Sequence, residues 1–291
     1  MNNKQIVAHG LLFSLFLTGC QAPQKEAVAT SPDPTQVVSK ADRFPGMDAC
    51  VLIYDLKNEK WLEVQNDERC RKRYAACSTF KVPLAAMAFD SGTLKDETAL
   101  LKWDGKKRTI DAWNKDHTAE TWMKESVVWY SQVVTKKMGR KKVQSYLTKF
   151  DYGSKDFSGN IETAWLTPAP FLKNPPPPTV LISGYEQIEF MKKLWQEKLP
   201  ISARAAALTK KITYLETSPN GFKLYGKTGS GFLNKEETLR VGWFIAHVEK
   251  ENQSYVGVVT FNDLIAQPPG TFGGAFAREK MKEAFKEKGL F

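Results

Sequence analysis

The sequence predicts an α+β chain, with one antiparallel sheet assembled from both chain ends, flanked by helices and interrupted by a helical insertion. Three observations carry this expectation. Short apolar runs at 51–55 and 61–64 flank a polar turn, and further strand-like runs lie near 221–227, 238–249 and 254–262. Between them, from about 95 to 200, Trp103, Trp113, Trp122 and Trp129 sit among charges in a helical texture. Strands at both ends with helices between them call for one sheet built from both termini. At 291 residues and 42% hydrophobic content, the chain has enough apolar side chain to bury a core.

The elements follow in chain order. Residues 6–17 are mostly apolar, preceded by Lys4 and followed by Leu17-Thr18-Gly19-Cys20. Such a run is too short to span a bilayer and fits the apolar region of a signal peptide, here residues 1–19. Its ending resembles the lipobox of bacterial lipoproteins, which implies a lipid-modified Cys20, anchorage to membrane and residence on the periplasmic side of the cell envelope. Residues 20–43 then read as the lipidated cysteine and a flexible tether rich in Ala, Pro, Ser, Thr and Gln. The globular domain spans 44–291, its sheet part about 44–90 and 201–291, its helical part about 91–200. Within it, 51–64 reads as a hairpin, 78–89 as a helix stopped by Ser91-Gly92, 203–210 as a short helix and 274–287 as a final amphipathic helix. The stretch 167–179, with Pro175 to Pro178 in succession, can be only an extended loop.

Composition removes several functions. Four cysteines rule out a disulfide-dense scaffold or a zinc-module array, and His9, His117 and His247 lack the spacing of a metal motif. With so few imidazoles, an enzymatic base other than histidine is expected. A net charge of +10 raises the question of nucleic acid, but the clusters at 69–73, 102–108 and 136–142 carry no interleaved aromatic stacking platform. They read as solvated faces, and no nucleic-acid partner is expected.

Ser78 is the one serine with a lysine three residues on, and it opens a predicted helix. Positions i and i+3 share a helix face, so the Ser78 hydroxyl and Lys81 amine can meet as nucleophile and base. Further along come Ser126-Val127-Val128 and Lys227-Thr228-Gly229-Ser230. On a strand, Lys227 and Gly229 face one side and Thr228 the other, and a glycine permits close approach of substrate or backbone. Taken singly, each motif has an ordinary reading: Ser78 as an N-cap, Ser126 as a buried polar residue, Lys227 as a solvated lysine, Trp165 as core.

Together, and in this order, Ser78-Thr79-Phe80-Lys81, Ser126-Val127-Val128, Tyr152-Gly153 and Lys227-Thr228-Gly229 resemble the class D (oxacillinase-type) serine β-lactamases, within the larger serine β-lactamase and DD-peptidase-like fold. The resemblance runs from about Cys50 to the C-terminus. It implies that Ser78 is acylated by a β-lactam and that Lys81, carrying a CO₂-derived carbamate, is general base. It further implies that Ser126 relays a proton to the lactam nitrogen and that Lys227 and Thr228 hold the substrate carboxylate. Backbone N–H groups of Ser78 and Ser230 would form an oxyanion hole, Val128 would cover the modified lysine, and the Trp165 indole would donate to the carbamate. No metal and no other cofactor is implied. Two departures stand out: Ser154 where the family has Asn after Tyr-Gly, and the proline-rich insertion after Trp165. Many members of that family use a C-terminal arginine for the substrate carboxylate; Arg278 sits nearby on the last helix and is not counted among the site residues.

The chemistry of Lys81 can be argued separately. Only a neutral amine reacts with CO₂, and with an ordinary pKa near 10.4 about one lysine in a thousand is neutral near pH 7. Apolar neighbours such as Phe80, Val128 and Trp165 would lower that pKa by desolvation. Two other readings remain open at this stage: a penicillin sensor of the same fold that is acylated without turnover, and a D-Ala-D-Ala peptidase. So does pairing of Cys50 with Cys70. The oligomeric state is not legible.

Overall fold

The sheet holds six strands, in the spatial order 60–65, 47–55, 253–263, 240–250, 223–232 and 214–217, every neighbouring pair antiparallel. It belongs to a computed structural model that describes residues 43–166 and 179–291. The signal segment, Cys20, nearly all of the tether and most of the proline-rich stretch lie outside the described residues.

The chain enters through β1 (Met47–Asp55) and β2 (Lys60–Gln65), the predicted hairpin. Asp55 accepts from the backbone N–H groups of Lys57 (3.0 Å) and Asn58 (2.9 Å), which closes the turn. A short helix α1 (Asp67–Arg71) follows and brings Cys70 to Cys50 of β1, where the two form a disulfide with Cα atoms 5.1 Å apart. The two-residue strand β3 (Tyr74–Ala75) leads into a 3-10 turn, Cys77–Phe80, and then α2 (Lys81–Asp90). The predicted helix thus starts as a tighter turn, and its α-helical part begins three residues later than expected, at Lys81.

The helical insertion contains α3 (Ala119–Lys124), α4 (Val128–Met138), α5 (Arg140–Phe150), the two-residue β4 (Leu181–Ile182) paired with β3, and α6 (Gly184–Trp195). Capping boxes at Thr118/Thr121 and Ser183/Glu186 start α3 and α6. Residues 95–118 are mostly irregular, so the helical reading was too broad there. The return half consists of α7 (Ala203–Ile212), β5 (Tyr214–Thr217), β6 (Lys223–Phe232), β7 (Arg240–Lys250), β8 (Gln253–Asp263) and α8 (Gly273–Glu287). Here β6 runs to Phe232, so Lys227 to Ser230 lie inside the strand, whereas the sequence suggested a strand ending at Lys227.

Both faces of the sheet are buried. Cys50, Leu52 and Tyr54 of β1 face the helical layer, while Ala49, Val51 and Ile53 pack towards α8. The same alternation holds on β7, with Trp243 and Ile245 on one face and Phe244 and Ala246 on the other. A sheet covered on both sides needs continuous apolar runs, which is why these strands show no polar alternation.

Candidate active site

Strand register places the lysine motif. Lys227 pairs with Ile245 and Gly229 with Trp243, so both face the helical layer, while Thr228 pairs with Phe244 on the α8 side. Gly229 lets β6 lie flush against the turn that carries Ser78. A Cβ there would come within 3.2 Å of Thr79 Cγ2 and 3.3 Å of the Ala76 carbonyl. The side chain of Ser230 turns the other way, its Oγ accepting from the Gly274 N–H (2.9 Å) at the start of α8.

Ser78 is half-buried in the 3-10 turn, whose N-cap position is occupied by Ala76 and not by Ser78. Lys81 Nζ donates to Ser78 Oγ at 2.9 Å, one turn of helix away. Lys81 is wholly buried, and burial drives its ammonium well below the ordinary lysine pKa, with the nearby positive charge of Lys227 adding to the effect. Burial also pushes Lys227 down to about 7. Its ammonium donates to the Thr228 carbonyl (2.9 Å) and Thr228 Oγ1 (3.2 Å).

An aromatic box lies around Phe80, next to Lys81. Trp165 stacks on Phe80 with ring centres 5.7 Å apart, Phe157 stacks on it at 6.1 Å, and Tyr152 meets it edge-on at 6.1 Å. Among the described residues, the Trp165 indole N–H is buried without a hydrogen-bond partner. The two other fully buried tryptophans are satisfied: Trp122 donates to Ser131 Oγ (2.9 Å) and Trp243 to the Ala75 carbonyl (3.0 Å). An unpaired indole in a dry box costs free energy and marks a place where an acceptor belongs.

Ser126 joins α3 to α4 with φ 56°, and Cys77, just before Ser78, has φ 49°. Left-handed backbone at residues with a Cβ is strained and tends to collect at functional sites. Val127 is fully buried and Val128, first residue of α4, is half-buried. Ser154 makes a structural staple, donating from its N–H to the Leu181 carbonyl (2.7 Å) and accepting from the Leu181 N–H (3.1 Å). Arg278 lines a small cavity of about 60 Å³ with Lys227 and Thr228, and donates to Glu216 at 2.6 Å.

Neither described histidine is a surface residue. His117 is bonded to Thr121 Oγ1 (3.1 Å) and the Ala112 carbonyl (3.0 Å), and His247 to Ser254 Oγ (2.8 Å) while stacked on Trp195. Cys77 is a buried thiol outside the disulfide. Sequence reasoning missed the strain at Cys77, which no local pattern announces, and the side chains from distant elements that hold the Ser78 turn.

Residues 33–286 match the penicillin binding protein transpeptidase domain family. The chain is 37% identical over 253 residues to β-lactamase OXA-1 of Escherichia coli, covering 84% of this chain and 86% of that one. It is 29% identical over 259 residues to the methicillin resistance mecR1 protein of Staphylococcus aureus, covering 87% of this chain and 41% of that one. The crystal structure of a class D β-lactamase from Bacillus subtilis superposes with a TM-score of 0.74 at 30% identity, covering 86% of this chain and 95% of that one. With its α+β fold, its ordered motifs and these relatives in agreement, the chain belongs to the class D β-lactamases.

Proposed function

We propose that the chain hydrolyses penicillin-type β-lactams through an acyl-enzyme on Ser78, with Lys81 carrying a CO₂-derived carbamate. The observation that carries this reading is the pairing of Lys81 Nζ with Ser78 Oγ at 2.9 Å, with Lys81 fully buried. Burial supplies the neutral amine that reacts with CO₂, and the unpartnered Trp165 N–H supplies a donor for the anion that results. The carbamate, when formed, supplies a general base for acylation and deacylation.

The remaining roles belong to the chain itself. Ser78 Oγ forms the bond to the lactam carbonyl carbon as the ring C–N bond breaks, and Ser126 hands a proton to the departing nitrogen. Water then releases the acid and restores Ser78. Lys227 and Thr228 hold the substrate carboxylate, and that anion keeps Lys227 charged near neutral pH despite its depressed pKa. The Ser78 and Ser230 N–H groups receive the developing oxyanion, a contribution of about 10²–10³ in rate per donor. Val128 borders the pocket. The opening signal and Cys20 give lipid anchorage on the periplasmic side of the envelope, which loss of fatty-acid labelling in Cys20→Ala tests.

Steady-state hydrolysis of a chromogenic cephalosporin and of oxacillin tests the main claim. The expected result is sustained turnover, with both hydrolysis and covalent labelling by a fluorescent penicillin abolished in Ser78→Ala. A single burst without turnover identifies an acylated sensor instead, and labelling that survives Ser78→Ala overturns the nucleophile.

A further inference from the structure

The turn that presents Ser78 is clamped from several sides. The Ala76 N–H donates to the Val180 carbonyl (3.1 Å), and the Trp243 indole donates to the Ala75 carbonyl (3.0 Å). Both contacts act before the left-handed bend at Cys77, whose strain of roughly 1–3 kcal/mol must be held by its surroundings. Among the described residues, the side chains of Gln187 and Tyr152 reach past the bend to Thr79, the residue after Ser78. Gln187, on α6 and 108 residues away in sequence, donates its amide to Thr79 Oγ1 at 2.9 Å.

The directions in this chain of hydrogen bonds are fixed by chemistry. The Ala76 carbonyl can only accept, so the Thr79 hydroxyl donates to it, at 2.5 Å. The Thr79 oxygen is then left to accept, which requires the NH₂ of Gln187 to face it. The Gln187 carbonyl oxygen therefore points the other way, towards the Tyr152 hydroxyl at 3.5 Å, the loosest link. Thr79, Tyr152 and Gln187 are fully buried, so a broken link leaves a dry, unpaired polar group.

We infer that Gln187 is a positioning residue. Acting through Thr79, with Tyr152 setting its orientation, it holds the strained turn so that Ser78 Oγ stays in register with Lys81 Nζ. This rests on Ser78 being the acylated residue. It gives Tyr152 a role in the same network, beside both Gln187 and Thr79, and it accounts for a hydroxyl at Thr79 next to the aromatic box.

The test is stopped-flow acylation by a penicillin, comparing the full-length protein with Thr79→Val, Gln187→Leu, the double variant and Thr79→Ser. Near-UV circular dichroism counts the folded molecules. Thr79→Val and Gln187→Leu are expected to slow the acylation step by about 10–100-fold, while the dissociation constant of the non-covalent complex stays within about threefold. The double variant should be no slower than the slower single, because both break one chain. Thr79→Ser, which restores the hydroxyl, should recover most of the loss. Should Gln187→Leu not fold, the Thr79 pair decides alone. A folded Thr79→Val acylated as fast as the parent overturns the positioning role, as does a loss that Thr79→Ser does not recover. A parent that is not labelled on Ser78 overturns the acylation reading instead.

Discussion

At the end of the sheet, Arg240 and Asp263 meet as a two-pronged pair, with Nε to Oδ2 at 2.7 Å and Nη2 to Oδ1 at 3.1 Å, and the Arg240 N–H also donates to Asp263. Glu63, fully buried, is likewise matched by Arg43 and by Lys288 at 2.9 Å. In the pocket, Lys81 and Lys227 are as dry as these groups, yet among the described residues neither is paired with a carboxylate. Buried charge elsewhere is neutralised by geometry. In the pocket it is left uncompensated, and burial lowers the pKa of both amines. The difference separates structure from chemistry: a satisfied pair holds strands together, whereas an unsatisfied amine is a reagent kept ready.

The largest expected effect lies on the structural side. Asp263→Ala strands the Arg240 guanidinium in the core and should destabilise the fold by about 3–5 kcal/mol, with hydrolysis per folded molecule retained. Denaturant unfolding measures this, and a loss below about 1 kcal/mol would place the pair among inconsequential surface bridges.

The lysines predict the opposite behaviour. Lys227 has a folded pKa of about 7 against 10.5 unfolded, so between those values the unfolded chain binds more protons. Stability in CO₂-free buffer should therefore rise with pH across that window and be lowest below it. Lys227→Met should remove that part of the slope and be more stable than the parent near pH 6, by on the order of a few kcal/mol. It should also lose affinity for the substrate carboxylate. A parent whose stability is flat between pH 7 and 10 contradicts an uncompensated buried lysine.

The smallest effect tests the orphaned indole. Trp165→Phe keeps the ring stack on Phe80 and deletes the buried N–H, so stability should be unchanged or slightly higher. Turnover should fall by about tenfold or more, with a stronger demand for bicarbonate. A destabilised variant with parental bicarbonate response would assign Trp165 to packing alone.

The legible part of the molecule was that written in local pattern. The 47–65 hairpin, the helix after Ser78, the two long strands β7 and β8 and the final helix all announced themselves through apolar runs and turn residues. Ser78, Lys81, Ser126 and Lys227 stood out through their order along the chain, and the structure brings Lys81 Nζ to Ser78 Oγ at 2.9 Å. What escaped depends on contacts between distant segments. Pairing of Cys50 with Cys70, left open by their spacing, is settled only when α1 folds back on β1, and β5 is too short and too exposed to signal itself. The unmet indole of Trp165 is visible only against its satisfied counterparts, and Gln187 looks like any helical glutamine until Thr79 lies beside it.

The central claim is that burial lowers the pKa of Lys81 so that its amine can be converted by CO₂ into a base. ¹³C NMR of the protein in ¹³C-labelled bicarbonate tests it most directly. A carbamate resonance is expected in the parent, absent in Lys81→Ala and weakened in Trp165→Phe, with hydrolysis falling as the signal is titrated away in acid. A parent that turns over β-lactams with no such resonance, or a resonance that persists in Lys81→Ala, would contradict the account.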